Sequence, residues 1–379
     1  MEPKKRILVI APDSFKGSVS AKDAAEAIAR GIVSVLPDAG VRCFPVADGG
    51  EGTLEAITAP SDRYRLTVTG PEWKKVGAEL GSSGDCAVVE MAKAAGITYT
   101  GEDRRAATAT TFGVGELIRD ALAHGFRKIM LTAGGSATND GGCGMFSSLG
   151  AVFRDREGNR FVPTGGTLGR VASVDLSGLD PALSECEITV AADITNPLLG
   201  KDGATYVYGP QKGATAEELA AMEAGMTVYA RLLEKTCGRD VASVPGCGAA
   251  GGLPAPLIAF CGAKIMRGID TVLGMTGFRA ALEGASAVIT GEGKIDRQSL
   301  YGKAVEGVAR AASEAGVPVD VIAGTVGRDR EELLSLGLRS IRTITDIEPD
   351  RRLAIGNASY YLEKLGAEWA AVFSRTRDV

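Results

Sequence analysis

Short apolar runs alternate with stretches of helical period at both ends of the chain, and this alternation constrains the fold more than any other feature. At the start, Arg6–Ala11 reads as a strand. Ser20–Leu36 reads as an amphipathic helix opened by Ser20 with Asp23 three residues on, Val41–Val46 as a strand, and Glu51–Thr58 as a helix. The tail repeats the pattern: strand Ser286–Thr290, helix Lys303–Glu314, strand Val319–Ala323, helix Arg328–Leu336, strand Ser340–Ile344 and a long last helix from Arg351. Repeated units of this kind predict an α/β fold whose parallel sheet is covered on both faces.

The middle differs. Arg63–Thr69 and Lys75–Leu80 alternate like an antiparallel pair, and Ala151–Arg154 with Arg160–Val162 reads as a hairpin turning at Glu157-Gly158-Asn159. Lys128–Thr132 and Glu187–Ala191 read as buried strands among the helices Thr110–Ala123 and Thr215–Lys235, the latter opened by a capping box of Thr215 and Glu218. The expected organisation is a discontinuous α/β domain, residues 1–60 plus 284–379, with a second mixed α/β domain, residues 61–283, inserted in it.

Composition narrows the chemistry. The 42 basic and 47 acidic residues leave a net charge of −5 without a basic block, which argues against a nucleic-acid partner. A single histidine, His124, excludes multi-histidine metal sites, and it reads as a helix C-terminal residue with no catalytic role. Seven scattered cysteines without a CxxC pair read as reduced thiols of a cytoplasmic protein. The apolar run Ile7–Ala11 is too short for a secretory signal, and the uncharged stretch 241–263 is too rich in Pro and Gly for a membrane span. No membrane association is expected.

Five polar or Gly-rich motifs begin where an apolar strand ends: Asp13-Ser14-Phe15-Lys16-Gly17, Asp48-Gly49-Gly50-Glu51-Gly52, Gly134 to Gly142 (GGSATNDGG), Asp193-Ile194-Thr195-Asn196-Pro197 and Gly291-Glu292-Gly293-Lys294-Ile295-Asp296. Ligands of open α/β sheets bind at the carboxyl ends of strands, so the five motifs predict one shared cleft between the two domains. Gly-rich backbone leading into helices offers amide donors suited to phosphate. Asp13, Asp48, Glu51, Asp140, Asp193, Glu292 and Asp296 offer hard oxygens for Mg²⁺, and Lys16 offers a compact positive charge. Phosphoryl transfer needs mainly positioning and charge neutralisation, and this inventory supplies both. Taken singly, the Asp48 motif also fits a capped turn, the Asp193 motif an Asx turn, and the Gly291 motif an ordinary βα loop. The nine-residue Gly134–Gly142 connection is harder to account for without a ligand.

Familiar nucleotide signatures are missing. No GxxxxGK[ST] occurs, nor the HRD or DFG signatures of protein kinases. A GxGxxG runs from Gly246 to Gly251, but Pro245 sits where a feeding strand would end, so a dinucleotide site is not expected.

In this order the motifs resemble those of the type I glycerate kinases of bacteria. The resemblance rests on 11–21 (APDSFKGSVSA), 45–53 (PVADGGEGT), 134–142, 192–200 (ADITNPLLG), 209–214 (GPQKGA), 245–252 (PGCGAAGG) and 290–296 (TGEGKID), followed by Gln298, Gly302 and Lys303. Val305 departs from it, standing where the family pattern has a proline. The resemblance implies a flavodoxin-like α/β domain made from both chain ends, with an inserted second domain. It also implies transfer of the γ-phosphoryl group of ATP to D-glycerate with Mg²⁺, 2-phosphoglycerate being the favoured product. On this basis Asp193 is the expected base and Lys16 the charge-balancing cation. The expected substrate and phosphate contacts are Asp13, Ser14, Gly49, Gly50, Gly134, Gly135, Ser136, Thr138, Asn139, Asn196, Gly291, Glu292 and Asp296, with Asp48 and Glu51 as metal ligands. Two competing readings are a kinase for another small hydroxy acid and a non-catalytic sensor of a nucleotide or acid sugar. Carboxylates beside an anion site disfavour the sensor unless a cation intervenes.

Overall fold

The computed structural model describes residues 6–102, 104–296, 303–327, 330–335 and 337–375. Gln298, Gly302 and the outer ends of the expected helix Arg328–Leu336 lie outside the described residues. In chain order the strands are β1 (Ile7–Pro12), β2 (Gly40–Cys43), β3 (Arg63–Thr69), β4 (Lys75–Ser83), β5 (Cys86–Glu90), β6 (Lys128–Thr132), β7 (Val152–Arg154) and β8 (Arg160–Phe161). They continue with β9 (Ser173–Asp175), β10 (Glu187–Ala191), β11 (Lys264–Met266), β12 (Ala285–Gly291), β13 (Lys294–Ile295), β14 (Val319–Ala323), β15 (Thr325–Val326) and β16 (Leu338–Thr343).

The chain divides into two compact units. Residues 1–48 with 268–379 form the first, and residues 49–267 form the second. Both divisions fall earlier than the expected 60/61 and 283/284. The helix Thr53–Ile57 is tied to β5 through Glu90, and the helix Gly268–Met275 packs against the helix Ala304–Glu314 of the first unit.

In the first unit five strands run in the order β16-β14-β12-β1-β2, all parallel. Counted within the unit this is 2-1-3-4-5, the flavodoxin-like order. Leu8, Ile10, Ala287, Ile289 and Ile322 are buried on one face beneath the helices Ala21–Val35 and Ala358–Arg375. Each of the leucine and isoleucine side chains contributes about 1.5–3 kcal/mol on burial. The alternate residues Val9, Val288 and Val321 are also fully buried, and the helix Ala304–Glu314 packs against their strands. Ser20 caps the first helix as expected, its hydroxyl accepting from the Asp23 amide at 3.1 Å. The last helix is broken rather than continuous: Asn357 separates Arg351–Gly356 from Ala358–Arg375 and donates its side-chain amide to the Leu353 carbonyl.

The second unit holds a mixed six-stranded sheet, β11-β10-β6-β5-β4-β3. The β3–β4 and β4–β5 pairs are antiparallel, and β5, β6, β10 and β11 are parallel to one another. The hairpin β7–β8 forms as expected, and both halves of the Thr215–Glu218 capping box are made. Strand β5 has no counterpart among the expected elements. No helix among the described residues is long and apolar enough to cross a membrane.

Candidate active site

The parallel sheet of the first unit reverses its strand order between β1 and β12, and ligands of open sheets gather at the carboxyl ends beside such a reversal. Asp13 follows β1, and its amide donates to the carbonyl of Gly291, the last residue of β12, at 2.8 Å. The Phe44 and Val46 amides continue the pairing with Ile10 and Pro12 beyond β2, which carries the chain toward Asp48. Asp13 is only 6% exposed. Burial, and next the charge of Asp48, push its pKa up to about 7; the Ser14 amide and Lys16 pull the other way, and Glu292 adds to the rise. The Ser14 amide donates to Asp13 Oδ1 at 2.6 Å, and Lys16 stands exposed in the same loop. Glu292 and Gly293 are fixed through their carbonyls by the amides of Gly324 and Thr325, while Asp296 pairs with Lys294 at 2.8 Å.

In the second unit the Gly134–Gly142 connection follows β6 and splits into two parts with different tasks. Its C-terminal part is a structural lock. Asp140 is fully buried, and its carboxylate accepts from Thr111 N, Thr111 Oγ1, Gly142 N and Gly144 N at 2.8, 2.9, 3.1 and 3.2 Å. Thr111 Oγ1 in turn accepts from the Met145 amide. These contacts consume the amides that begin the short helix Cys143–Ser148, so neither that helix start nor Asp140 is left for phosphate or metal. This corrects the expectation for Asp140.

The N-terminal part, 134–139, opens outward only at its start: Gly135 is exposed and Gly134 half-buried, while Ser136 to Asn139 are buried. Ile97 N donates to Gly135 O and Ala137 N to Ala95 O, both at 2.9 Å. Among the described residues the Gly135 and Ser136 amides have no acceptor. The Gly134 amide approaches the Gly49 carbonyl at 3.4 Å, and a Cβ at Gly134 would lie 2.6 Å from the Gly50 Cα. The two Gly-rich motifs therefore touch backbone to backbone, a contact only glycine permits. Glu90, buried at the end of β5, accepts from Gly52 N at 3.2 Å and Leu54 N at 2.9 Å and so pins the second of these motifs. Burial pushes its pKa up to about 7. Glu51 lies exposed in the same turn.

Asp193 follows β10 and is half-buried. Asn196 turns its side chain to its own loop, donating to Asp202 O and accepting from the Tyr208 hydroxyl. Asn139 is fully buried and donates to Thr205 Oγ1 at 3.1 Å. The 246–252 segment, the GxGxxG decoy, wedges between two of the motifs. Gly248 N donates to Asn196 O, Gly141 N to Gly251 O, and Thr138 Oγ1 to Ala250 O. A Cβ at Gly251 would stand 2.1 Å from Thr138 O.

Residues 8–374 match the glycerate kinase family. The chain belongs to that family. It is 45% identical to the glycerate kinase of Halalkalibacterium halodurans over 336 residues, 87% of this chain and 88% of that one. It is 43% identical to the glycerate kinase of Bacillus subtilis over 369 residues, 96% and 97% of the two chains. The glycerate 2-kinase of Escherichia coli matches at 45% over 327 residues, 85% and 86% of the two chains. A crystal structure assigned as glycerate kinase 2 from Salmonella typhimurium LT2 superposes with a TM-score of 0.87 at 42% identity, covering 99% of this chain and 100% of that one. Membership makes this chain a phosphotransferase.

Within this glycerate kinase family member, Asp13, Ser14, Lys16, Asp48, Gly291, Glu292 and Asp296 belong to the first unit's strand ends. Gly49, Gly50, Glu51, Gly134, Gly135, Ser136, Thr138, Asn139, Asp193 and Asn196 belong to the second. Two residues escaped the sequence reading. Glu90 carries no local signal, because its partners Gly52 and Leu54 lie 38 and 36 positions away, beyond strands β3 and β4. Lys212 sits inside the GPQKGA motif, yet its burial is visible only in three dimensions. His124 caps the helix Phe112–Ala123 at its C-terminus as expected.

Proposed function

We propose that the chain transfers the γ-phosphoryl group of MgATP to D-glycerate and yields 2-phosphoglycerate. The observation that carries this reading is the family match along nearly the whole chain, joined to a cradle of unclaimed amides at Gly135 and Ser136. Its E. coli relative, a glycerate 2-kinase, supports the regiochemistry.

ATP fits what is present: the Gly135 and Ser136 amides are unclaimed donors for phosphate oxygens with the Ser136 hydroxyl beside them, while Thr138, fully buried with its hydroxyl on Ala250 O, backs the loop instead. Mg²⁺ fits the donor chemistry too. Asp13 is pushed up to about 7 partly by Asp48 and Glu292, which marks crowded negative charge that a divalent cation would relieve. No ready-made group of three or more His, Cys, Asp or Glu ligands stands among the described residues. Asp48 and Glu51 would hold the ion, completed by waters and phosphate oxygens, and its chemistry is neutralisation of phosphate charge. Asp193 orients the attacking hydroxyl and accepts its proton. Lys16 balances charge on the transferring group, while Gly49, Gly50 and Gly134 keep the backbone slim where phosphate must approach. Asp13, Ser14, Gly291, Glu292 and Asp296 are the contacts the first unit offers, whereas the Asn139 and Asn196 side chains, engaged by Thr205, Asp202 and Tyr208, hold their own loops.

The test is ADP release from MgATP with D-glycerate, L-glycerate and hydroxypyruvate in parallel, followed by identification of the phosphorylated carbon. Strong turnover with D-glycerate, with phosphate on carbon 2, is expected. Folded protein that turns over none of the three would overturn the substrate and favour another small hydroxy acid.

A further inference from the structure

Lys212 ends the short 3-10 turn Pro210–Lys212 and is only 2% exposed. Its ammonium reaches into the second unit and donates to the Thr138 carbonyl at 2.7 Å. Its own carbonyl accepts from Ala106 N at 3.1 Å, which fixes the turn from the other side. The opposite charge it senses is Asp140, whose oxygens are taken up by Thr111, Gly142 and Gly144. Burial depresses the amine to a pKa of about 7 against that carboxylate. Taking an ammonium out of water is costly, and a methionine would fill the same space without that cost. Such a charge calls for a task, and its single hydrogen-bond acceptor among the described residues lies in the phosphate cradle.

The geometry defines that task. The Thr138 carbonyl and the Asn139 N–H share one planar trans peptide, so they point in opposite directions. Gripping the carbonyl therefore fixes the plane of a peptide whose two residues are fully buried, directly behind the Gly135 and Ser136 amides that have no acceptor among the described residues. The neighbouring anchors are the Ala137 amide on Ala95 and the Gly141 amide on Gly251. Between them, Lys212 and the Thr138 hydroxyl's contact with Ala250 hold the loop.

We propose that Lys212 is a positioning residue for the nucleotide: it anchors the buried Thr138–Asn139 peptide that backs the open Gly135 and Ser136 amides, and so governs affinity for the nucleotide's phosphates more than the rate of transfer. This rests on the kinase reading above. Lys212→Met removes donor and charge at similar volume, and Lys212→Gln keeps a neutral, shorter donor. Calorimetric titration with MgADP gives Kd, and steady-state kinetics give KM for MgATP, KM for D-glycerate and kcat. A hydrogen bond from a charged donor is worth about 10- to 100-fold, so Lys212→Met should raise the MgADP Kd and the MgATP KM by about that factor. Lys212→Gln should raise both less, and the D-glycerate KM and kcat should stay within about threefold. Losses that merely track the folded fraction in both variants, with Kd and KM unchanged, would overturn the assignment. A fall in kcat alone would overturn it equally. Wild-type protein that binds MgADP without turning over glycerate would sink the substrate reading while the Kd comparison still decides the role of Lys212. Wild-type protein that does not bind MgADP would sink both.

Discussion

Replacing Asp140 by asparagine tests how the candidate phosphate loop is held. The carboxylate is fully buried and serves four donors, three on Oδ2 and one on Oδ1. The asparagine oxygen can take the three-donor position, which leaves its NH₂ facing the Gly142 N–H. In the opposite orientation three donors lose their acceptor. Even the better orientation loses one bond to a charged acceptor and strands a buried donor, and the three retained bonds weaken as the charge disappears. Relief of the buried charge works the other way, since burial raises the Asp140 pKa. Four donors converging on one carboxylate outweigh it, and the net loss should be about 2–4 kcal/mol. For a unit of this size that is roughly 4–16 °C in Tm. Urea unfolding followed by far-UV circular dichroism measures the stability, and ADP release measures the consequence for the loop. A displacement of about 1 Å in the cradle would reduce kcat/KM by about 100-fold. Stability within about 0.5 kcal/mol of wild type, the ordinary range for an unimportant surface change, would refute the lock.

Three further outcomes follow from the same geometry. Asp193→Asn should lower kcat by about 10²–10⁴-fold in a protein that melts like wild type, and near-complete retention of turnover would show that another group takes the proton. Gly134→Ala places a Cβ 2.6 Å from the Gly50 Cα, so it should cost about 1–3 kcal/mol in chemical denaturation and depress activity more than any alanine in an open loop; unchanged melting and turnover would mean that the two motifs do not touch. Stability should also pass through a shallow minimum near neutrality. Glu90, raised from 4.5 to about 7, contributes stability below pH 4.5 that is lost as the pH rises through about 7. Lys212, lowered from 10.5 to about 7, contributes stability above pH 10.5 that is lost as the pH falls through about 7. Denaturation midpoints compared with those of Glu90→Gln and Lys212→Met across pH 5–10 should show the acid-side fall shrink in the first, Asp13 with its pKa of about 7 supplying the remainder, and the alkaline rise shrink in the second; parallel curves would contradict both shifts.

The sequence carried the architecture well where local rules dominate. β6, β10 and β14 begin and end where their apolar runs do, and the Ser20 and Thr215 caps follow from side chains reaching their own neighbours. Parallel pairing was inferable from the alternation because connections of that length cross back over a sheet. Motif position at strand ends was equally legible. What sequence could not give was which polar group meets which. Asp140 has the residue type of a metal ligand, but Thr111, twenty-nine positions away, claims it. Glu90 and Lys212 look like ordinary surface charges until distant segments close over them. The break at Asn357 also escaped, since a helical pattern runs on through it.

The pairing of β1 with β12 bears on how the chain is made. Ile7 lies opposite Ala285 on one side and Gly40 on the other, so the first strand has β2 beside it early but leaves the ribosome long before β12 exists. At about 5–20 residues per second the wait is roughly 15–60 s. The second unit is complete at residue 267, about 1–4 s earlier, and its six-stranded sheet draws on residues 63–266 alone. During the wait Leu8, Ile10, Ile28 and Ile32 have no sheet to cover them, which makes the nascent N-terminal segment a natural client for chaperones that hold exposed apolar chain. The sheet of the first unit is thus closed after the second unit, by its strands β12, β14 and β16.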